Sequence, residues 1–218
     1  MQRAELLKVA KPILFNTEMV MAILEGRKTV TRRCVKPQPT YSPRDGFSWK
    51  GYAYGTDLPQ TEKGAAHNFL CNAPYKVGDI LYVRETWSEW TDGYVYKAWS
   101  SPFPQPGKAS VMKWHPSLHM PKEAARIFLK VKDVRVKRLQ NMNEVNTAKE
   151  GIRTDVQTHR LDDPDFIENF GGIDKFKVLW DSTINKSDVE LYGWDANPYV
   201  WVIEFEVITA EQAKANST

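Results

Sequence analysis

The sequence predicts an α+β domain, a small mixed β-barrel flanked by helices, and three observations carry that expectation. An apolar strand pattern opens the chain at Pro12 to Phe15, and another, Tyr199-Val200-Trp201-Val202-Ile203-Glu204-Phe205-Glu206-Val207, closes it. Between them, segments with helical spacing alternate with strand-like runs. The 218 residues are 42% hydrophobic and 12% aromatic, enough for one ordinary core with insertions or two small ones.

The elements follow in order. Residues 1–11 read as a polar N-terminal arm. After the Pro12–Phe15 strand, Asn16 is placed to cap a helix whose apolar positions are Val20, Ile23 and Leu24, and Gly26 is placed to end it. The basic run Arg27-Lys28-Thr29-Val30-Thr31-Arg32-Arg33 follows at once, and its β-branched residues favour extended backbone. From Cys34 to Ala73 the composition shifts to Pro, Gly, Tyr and Ser with little periodicity, which reads as an insertion at 34–73 within a domain spanning 12–208.

Patterning resumes at the turn signal Val77-Gly78-Asp79. It leads into a strand Ile80 to Trp87, with Tyr94 to Trp99 as its returning hairpin partner. A Pro-rich connection reaches Ile127, Leu129, Val131, Val134 and Val136, whose alternation with polar residues gives a strand with one wet face. Asn143 then caps a helix through Val145, Ala148 and Lys149 that stops at Gly151. Phe176, Leu179 and Trp180 mark another helix, ending before Asn185, and residues 209–218 form a polar tail.

Composition narrows the function. Thirty basic and twenty-seven acidic side chains leave a net charge of +3, well short of a protein that holds duplex nucleic acid by bulk attraction, so any nucleic-acid site is local. RNA affinity should then weaken only moderately with salt, and a log–log slope steeper than about −5 would contradict a local site. No window approaches the roughly 18 consecutive apolar residues of a membrane span, and the opening has no apolar stretch followed by a small-residue cleavage site. A cytoplasmic protein with no membrane partner is expected.

Cys34 and Cys71 are the only cysteines, so no disulfide framework is expected. Together with His67, His115 or His119 they match no metal-ligand spacing, so neither a metal nor another cofactor is expected. Phosphate-loop, dinucleotide, zincin and serine-hydrolase signatures are absent. The most unusual feature is Gly26 to Arg33, where four cations surround two threonines. One reading is a solvated basic edge strand that discourages aggregation; the other is a site.

The segment Ile23-Leu24-Glu25-Gly26-Arg27-Lys28-Thr29-Val30-Thr31-Arg32-Arg33, the later Val77-Gly78-Asp79-Ile80-Leu81-Tyr82-Val83 and the closing Val202-Ile203-Glu204-Phe205 resemble the ASCH domain, of the PUA-like superfamily. Arg84-Glu85-Thr86-Trp87, Pro116-Ser117-Leu118-His119-Met120-Pro121 and Val178-Leu179-Trp180-Asp181-Ser182 look like its phage and prophage branch. The resemblance implies a compact β-barrel with helices closing a cleft, and recognition of RNA, nucleotides or modified nucleosides. One bacterial subgroup hydrolyses the amide of N4-acetylcytidine with a lysine and a threonine of the G-R-K-T-x-T element and a downstream glutamate. Carried over, these are Lys28, Thr31 and Glu150. The chain is far longer than that subgroup, with the insertion directly after Arg33.

The chemistry of such a trio is intelligible in itself. Threonine attacks an amide only if a neighbouring base takes its proton, and burial or the nearby Arg27, Arg32 and Arg33 would disfavour the charged form of Lys28 and suit it to that task. Glu150 could orient Lys28 or a water, although a carboxylate favours the ammonium form. In an unbroken strand Lys28 and Thr31 point to opposite faces, so the trio requires Lys28 in the turn after Gly26 or a bulge near Thr29.

Substrate-binding candidates are Arg32, Arg33 and Arg84 for phosphate or base stacking, Glu85 for the amino edge of a cytosine-like base, Trp87 for stacking and His119 as a proton shuttle. Each has an alternative: Trp87 as core, Glu85 as a solvated charge, His119 as a turn residue. Expected partners are a modified nucleoside or single-stranded RNA. The function classes kept open are an amidohydrolase acting on an acylated cytidine, a non-catalytic RNA or modified-base binding module, and a ribonuclease using Lys28 and Arg32.

Overall fold

Asn16 ends the opening strand and starts a helix, because its side-chain oxygen accepts a hydrogen bond from the Met19 N–H at 2.8 Å. The computed structural model describes residues 3–55, 61–91, 93–98, 112–153 and 171–208. In chain order its elements are α1 (Arg3–Val9), β1 (Lys11–Leu14), α2 (Thr17–Leu24), β2 (Val30–Cys34), β3 (Thr40–Ser42), β4 (Gly46–Trp49), β5 (Tyr52–Ala53) and α3 (Glu62–Phe69). Then come β6 (Ile80–Arg84), β7 (Trp87–Trp90), β8 (Gly93–Tyr96), β9 (Phe128–Arg138), α4 (Glu144–Lys149), α5 (Gly172–Ser182), α6 (Val189–Tyr192) and β10 (Tyr199–Ile208). The class is mixed α+β, as expected. The hydrogen-bonded strand orders are β1-β6-β9-β10-β2, β3-β4-β5 and β7-β8.

The chain divides into two compact units, one holding the described residues of Met1–Thr29, Val77–Lys132 and Phe205–Thr218, the other Val30–Lys76 and Asp133–Glu204. In the first, β1 runs parallel to β6, from Lys11 opposite Leu81 to Leu14 opposite Arg84. β6 pairs antiparallel with the start of β9, Ile80 opposite Lys130 and Tyr82 opposite Phe128. Residues 3–9 of the expected arm are helical and bury Leu6 completely, in a cluster with Tyr82, Trp87, Tyr96, Met120 and Phe128. Leu6, with Leu7 partly buried beside it, docks that helix of about two turns, which a reading by overall polarity misses.

The expected hairpin is also redrawn. Regular pairing of β6 stops at Arg84, and the returning strand pairs instead with β7, Trp87 opposite Tyr96 and Trp90 opposite Gly93. β6 already has a neighbour on each side in β1 and β9. Trp99, the last residue of the expected return, lies outside the described residues, as does the tail at 209–218.

In the second unit β10 and β2 pair antiparallel, from Val200 opposite Cys34 to Glu204 opposite Val30. Val30, Val200 and Val202 share one face and pack on Phe176 and Trp180 of α5 and on Leu139. Asn143 caps α4 by accepting from the Asn146 N–H at 3.0 Å. That helix buries Thr147 and leaves Val145 65% exposed, the reverse of what apolar spacing suggests.

The 34–73 stretch, expected as an unpatterned insertion, holds three short antiparallel strands and α3. Phe69 of α3 is fully buried amid Phe47 at 5.0 Å, Trp49 at 5.7 Å, Tyr54 at 5.3 Å and Trp201 at 5.2 Å between ring centroids. Gly55 lets two backbones touch, since a Cβ there would lie 2.2 Å from the Asp45 carbonyl oxygen. Strands of two to four residues are too short to show a period, which is why the sequence there looks structureless.

Candidate functional site

Gly26 closes α2 with a φ of +74°, and the Arg27 and Lys28 N–H groups both donate to the Ala22 carbonyl, at 2.9 and 3.0 Å. Lys28 therefore sits in the turn after the helix, ahead of the first residue of β2. Pairing toward β10 already includes Thr29, whose carbonyl accepts the Phe205 N–H at 2.9 Å. Within the first unit Lys28 is 1% exposed, and its Nζ lies 5.8 Å from the ring centre of the buried Phe15. A cation held over an aromatic face is partly compensated for lost water.

β2 delivers the next residues into the second unit. Thr31, opposite Ile203, and Arg32, opposite Val202, are 2% and 5% exposed. The Arg32 Nη1 donates to Glu150 Oε1 at 2.7 Å, its Nη2 approaches Asn146 Oδ1 at 3.5 Å, and its guanidinium lies 5.9 Å from the ring centre of Phe176. Glu150 reaches this position from the C-terminal cap of α4, where its N–H donates to the Asn146 and Thr147 carbonyls. Arg33 is half-buried. Desolvation lowers its pKa below the ordinary guanidinium value, opposed by the charge of Glu150 and by Tyr75. A guanidinium and a carboxylate are thus paired between one strand and one helix end, where burial strengthens their hydrogen bond, while Thr31, the preceding residue of β2, faces the other side of the sheet.

The remaining sequence candidates lie in the first unit. Glu85 is 1% exposed and both carboxylate oxygens accept from Arg126, at 2.8 and 2.9 Å, while the Arg126 guanidinium lies 4.2 Å from the ring centre of Tyr96. It is an ion-paired anchor, not a solvated charge. Arg84 Nη2 donates to the Leu118 carbonyl. Trp87 is core, 6% exposed, with its ring 5.0 Å from that of His115 and 5.6 Å from that of Tyr94. Arg84 Nε and Trp87 Nε1 are buried with no hydrogen-bond partner among the described residues. His119 is exposed at the end of a one-turn 3-10 segment, its N–H donating to the Pro116 carbonyl at 3.0 Å.

Among the described residues no cluster of three or more His, Cys, Asp or Glu side chains is arranged to hold a metal. Cys34 is half-buried, its Sγ 3.9 Å from the Tyr192 carbonyl, and desolvation pushes its thiol up to about 11 against the opposing charge of Lys36. No helix among the described residues is long and apolar enough to cross a membrane.

One feature has no counterpart among the sequence candidates. α3 and the second half of β9 line a cavity of about 740 Å³ in the second unit, bordered by Lys63, His67, Arg135, Lys137 and Arg138. The i, i+4 pair Lys63 and His67 and the i, i+2 pair Arg135 and Lys137 are its only sequence signals, and they become one site only once α3 exists. Comparison with protein-family models, with curated proteins and with solved structures finds no match to this chain.

Proposed function

We propose that this chain is an ASCH-type, PUA-like domain that recognises RNA or a modified nucleoside through its G-R-K-T-V-T-R-R segment. The observation that carries the reading is the burial of that segment's polar side chains: Lys28, Thr31 and Arg32 are 1%, 2% and 5% exposed. A basic edge strand that only discourages aggregation keeps its cations in water. Burying a lysine, a threonine and an arginine is costly unless they are paired, and such groups concentrate where a site needs them.

In the catalytic form of the reading, Thr31 is the nucleophile, Lys28 the base that takes its proton and Glu150 the orienting carboxylate, and the amide cleaved is that of N4-acetylcytidine or a related acylated cytidine. One observation favours a binding module instead. Glu150 is engaged by Arg32 at 2.7 Å, a contact that serves to fix the strand and directs the carboxylate's charge to a guanidinium.

Incubation with N4-acetylcytidine and, separately, with a single-stranded RNA oligonucleotide tests the reading, repeated with Lys28→Ala and Thr31→Ala. Release of cytidine and acetate by the parent protein and by neither variant assigns the amidohydrolase. Saturable binding without turnover assigns the module, and cut RNA that requires Lys28 but not Thr31 assigns a ribonuclease. Absence of both binding and turnover overturns the reading.

A further inference from the structure

The cavity between α3 and β9 has a charge pattern that specifies its occupant. Four formal cations border it, Lys63, Arg135, Lys137 and Arg138, against one carboxylate, Glu62, which accepts the Tyr199 hydroxyl at 2.7 Å. Arg135 is held by Asp133 at 3.0 Å and Glu204 at 2.9 Å. Arg138 lies 3.8 Å from the ring centre of Tyr199 and donates to the Asn197 carbonyl at 3.1 Å. These two form a fixed base. Lys63 and Lys137 are exposed and make no ion pair among the described residues.

Spacing separates a line of charge from a point. Lys63 and His67 are one turn apart on the helix wall, about 6 Å along its axis, and Arg135 and Lys137 are about 7 Å apart along the strand wall. Repeated charges on two walls suit an anion that repeats, whereas a single phosphate calls for convergent donors. The cavity volume falls within the roughly 300–1,000 Å³ of ligand sites, and Ala66, Leu70 and Val136 give it an apolar lining against which a base or sugar can lie. The cavity also has a link to β2. Glu204, which holds Arg135, stands opposite Val30 and lies 3.9 Å from Lys149, the neighbour of Glu150.

We propose that this cleft, built by the helix of the 34–73 insertion, binds the phosphodiester backbone of a single-stranded nucleic acid, so that the base recognised at the Thr31–Arg32 strand is carried on a polymer. The inference rests on the nucleoside-recognition reading above and extends it from the base to the chain that bears it.

The test uses the full-length protein, and the double variant Lys63→Ala/Lys137→Ala, whose exposed side chains leave the packing untouched; an unchanged melting curve verifies this. Fluorescence anisotropy is read across a salt series with a labelled single-stranded RNA and a DNA of the same sequence, and binding of free N4-acetylcytidine is measured separately by titration calorimetry. Each lost phosphate contact lowers the salt slope by about 0.7, so the variant should lose about 1.4 in slope and about 25-fold in affinity at 0.1 M salt. Binding of both polymers with this loss supports a backbone site, and preference for one identifies the polymer. An unchanged slope and affinity in the variant overturns the inference, as does polyglutamate competing as well as the oligonucleotide. Binding of the free nucleoside with no affinity for either polymer overturns the cleft and leaves the nucleoside reading standing. Binding of neither ends both.

Discussion

Arg32 and Glu150 form a buried ion pair, with Nη1 2.7 Å from Oε1 and side chains only 3% and 4% exposed. They are 118 residues apart in the chain. The pair ties the middle of β2 to the C-terminal cap of α4, and Phe176 lies against the guanidinium. Two charges removed from water in this way are held by each other, and neither tolerates being left alone.

Glu150→Gln keeps the shape of the side chain and an acceptor oxygen, and removes the charge that compensates the buried guanidinium. We expect it to cost about 3–5 kcal/mol of unfolding free energy in a urea titration. Replacing both members together, Arg32→Met with Glu150→Leu, should regain part of that loss, the remainder reflecting the charge that Glu150 also supplies to the desolvated Arg33. A single variant within about 1 kcal/mol of the parent would mean that water reaches the pair.

Arg126→Lys preserves charge and removes the fork that holds both oxygens of Glu85. The expected loss is about 1–3 kcal/mol, moderated because Arg126 is a quarter exposed. The stack on Tyr96 goes with it. Chemical denaturation reads the loss, and an unchanged midpoint would show that a single ammonium serves Glu85 as well as the fork does.

Tyr199 gives a pH dependence of definite sign. Desolvation, with its hydrogen bond to Glu62, raises the phenol to about 12, while an unfolded chain titrates near 10. Between those values the folded state keeps a proton that the unfolded state has released, so stability falls as pH rises from about 10 to about 12. Below about pH 9 the group contributes no slope. Tyr199→Phe should flatten this alkaline decline relative to the parent in unfolding measured at about pH 9 and about pH 11. An identical decline in both proteins would assign it to other groups.

Local signals in the chain were legible where one residue dictates geometry. Asn16 and Asn143 cap the helices they precede, Gly26 ends α2, and the apolar density of Tyr199 to Ile203 corresponds to a strand with a neighbour on each side. Lys28 precedes the first residue of β2, its N–H donating to the Ala22 carbonyl at 3.0 Å. What escaped was set by distant partners. Val145 has the right spacing to face inward, yet Thr147 does, and β8 pairs with β7 because β6 is already flanked. The hold of Arg126 on Glu85 and that of Arg32 on Glu150 span long stretches of sequence and have no periodic trace. The cavity beside α3 depends on a helix with one strong internal signal, the Thr61 cap that accepts from Gly64 at 3.2 Å.

Phe69 bears on how this protein can be shortened. Its ring stacks on Trp201 of the closing strand at 5.2 Å, and Phe47 meets Tyr199 edge-on at 4.9 Å. Excising residues 40–72 to leave a minimal domain would strip the cover from a phenol and an indole ring at the start of β10. Such a truncated protein should precipitate or pair with copies of itself, and the added length is accordingly part of the architecture, inherited or lost as a whole.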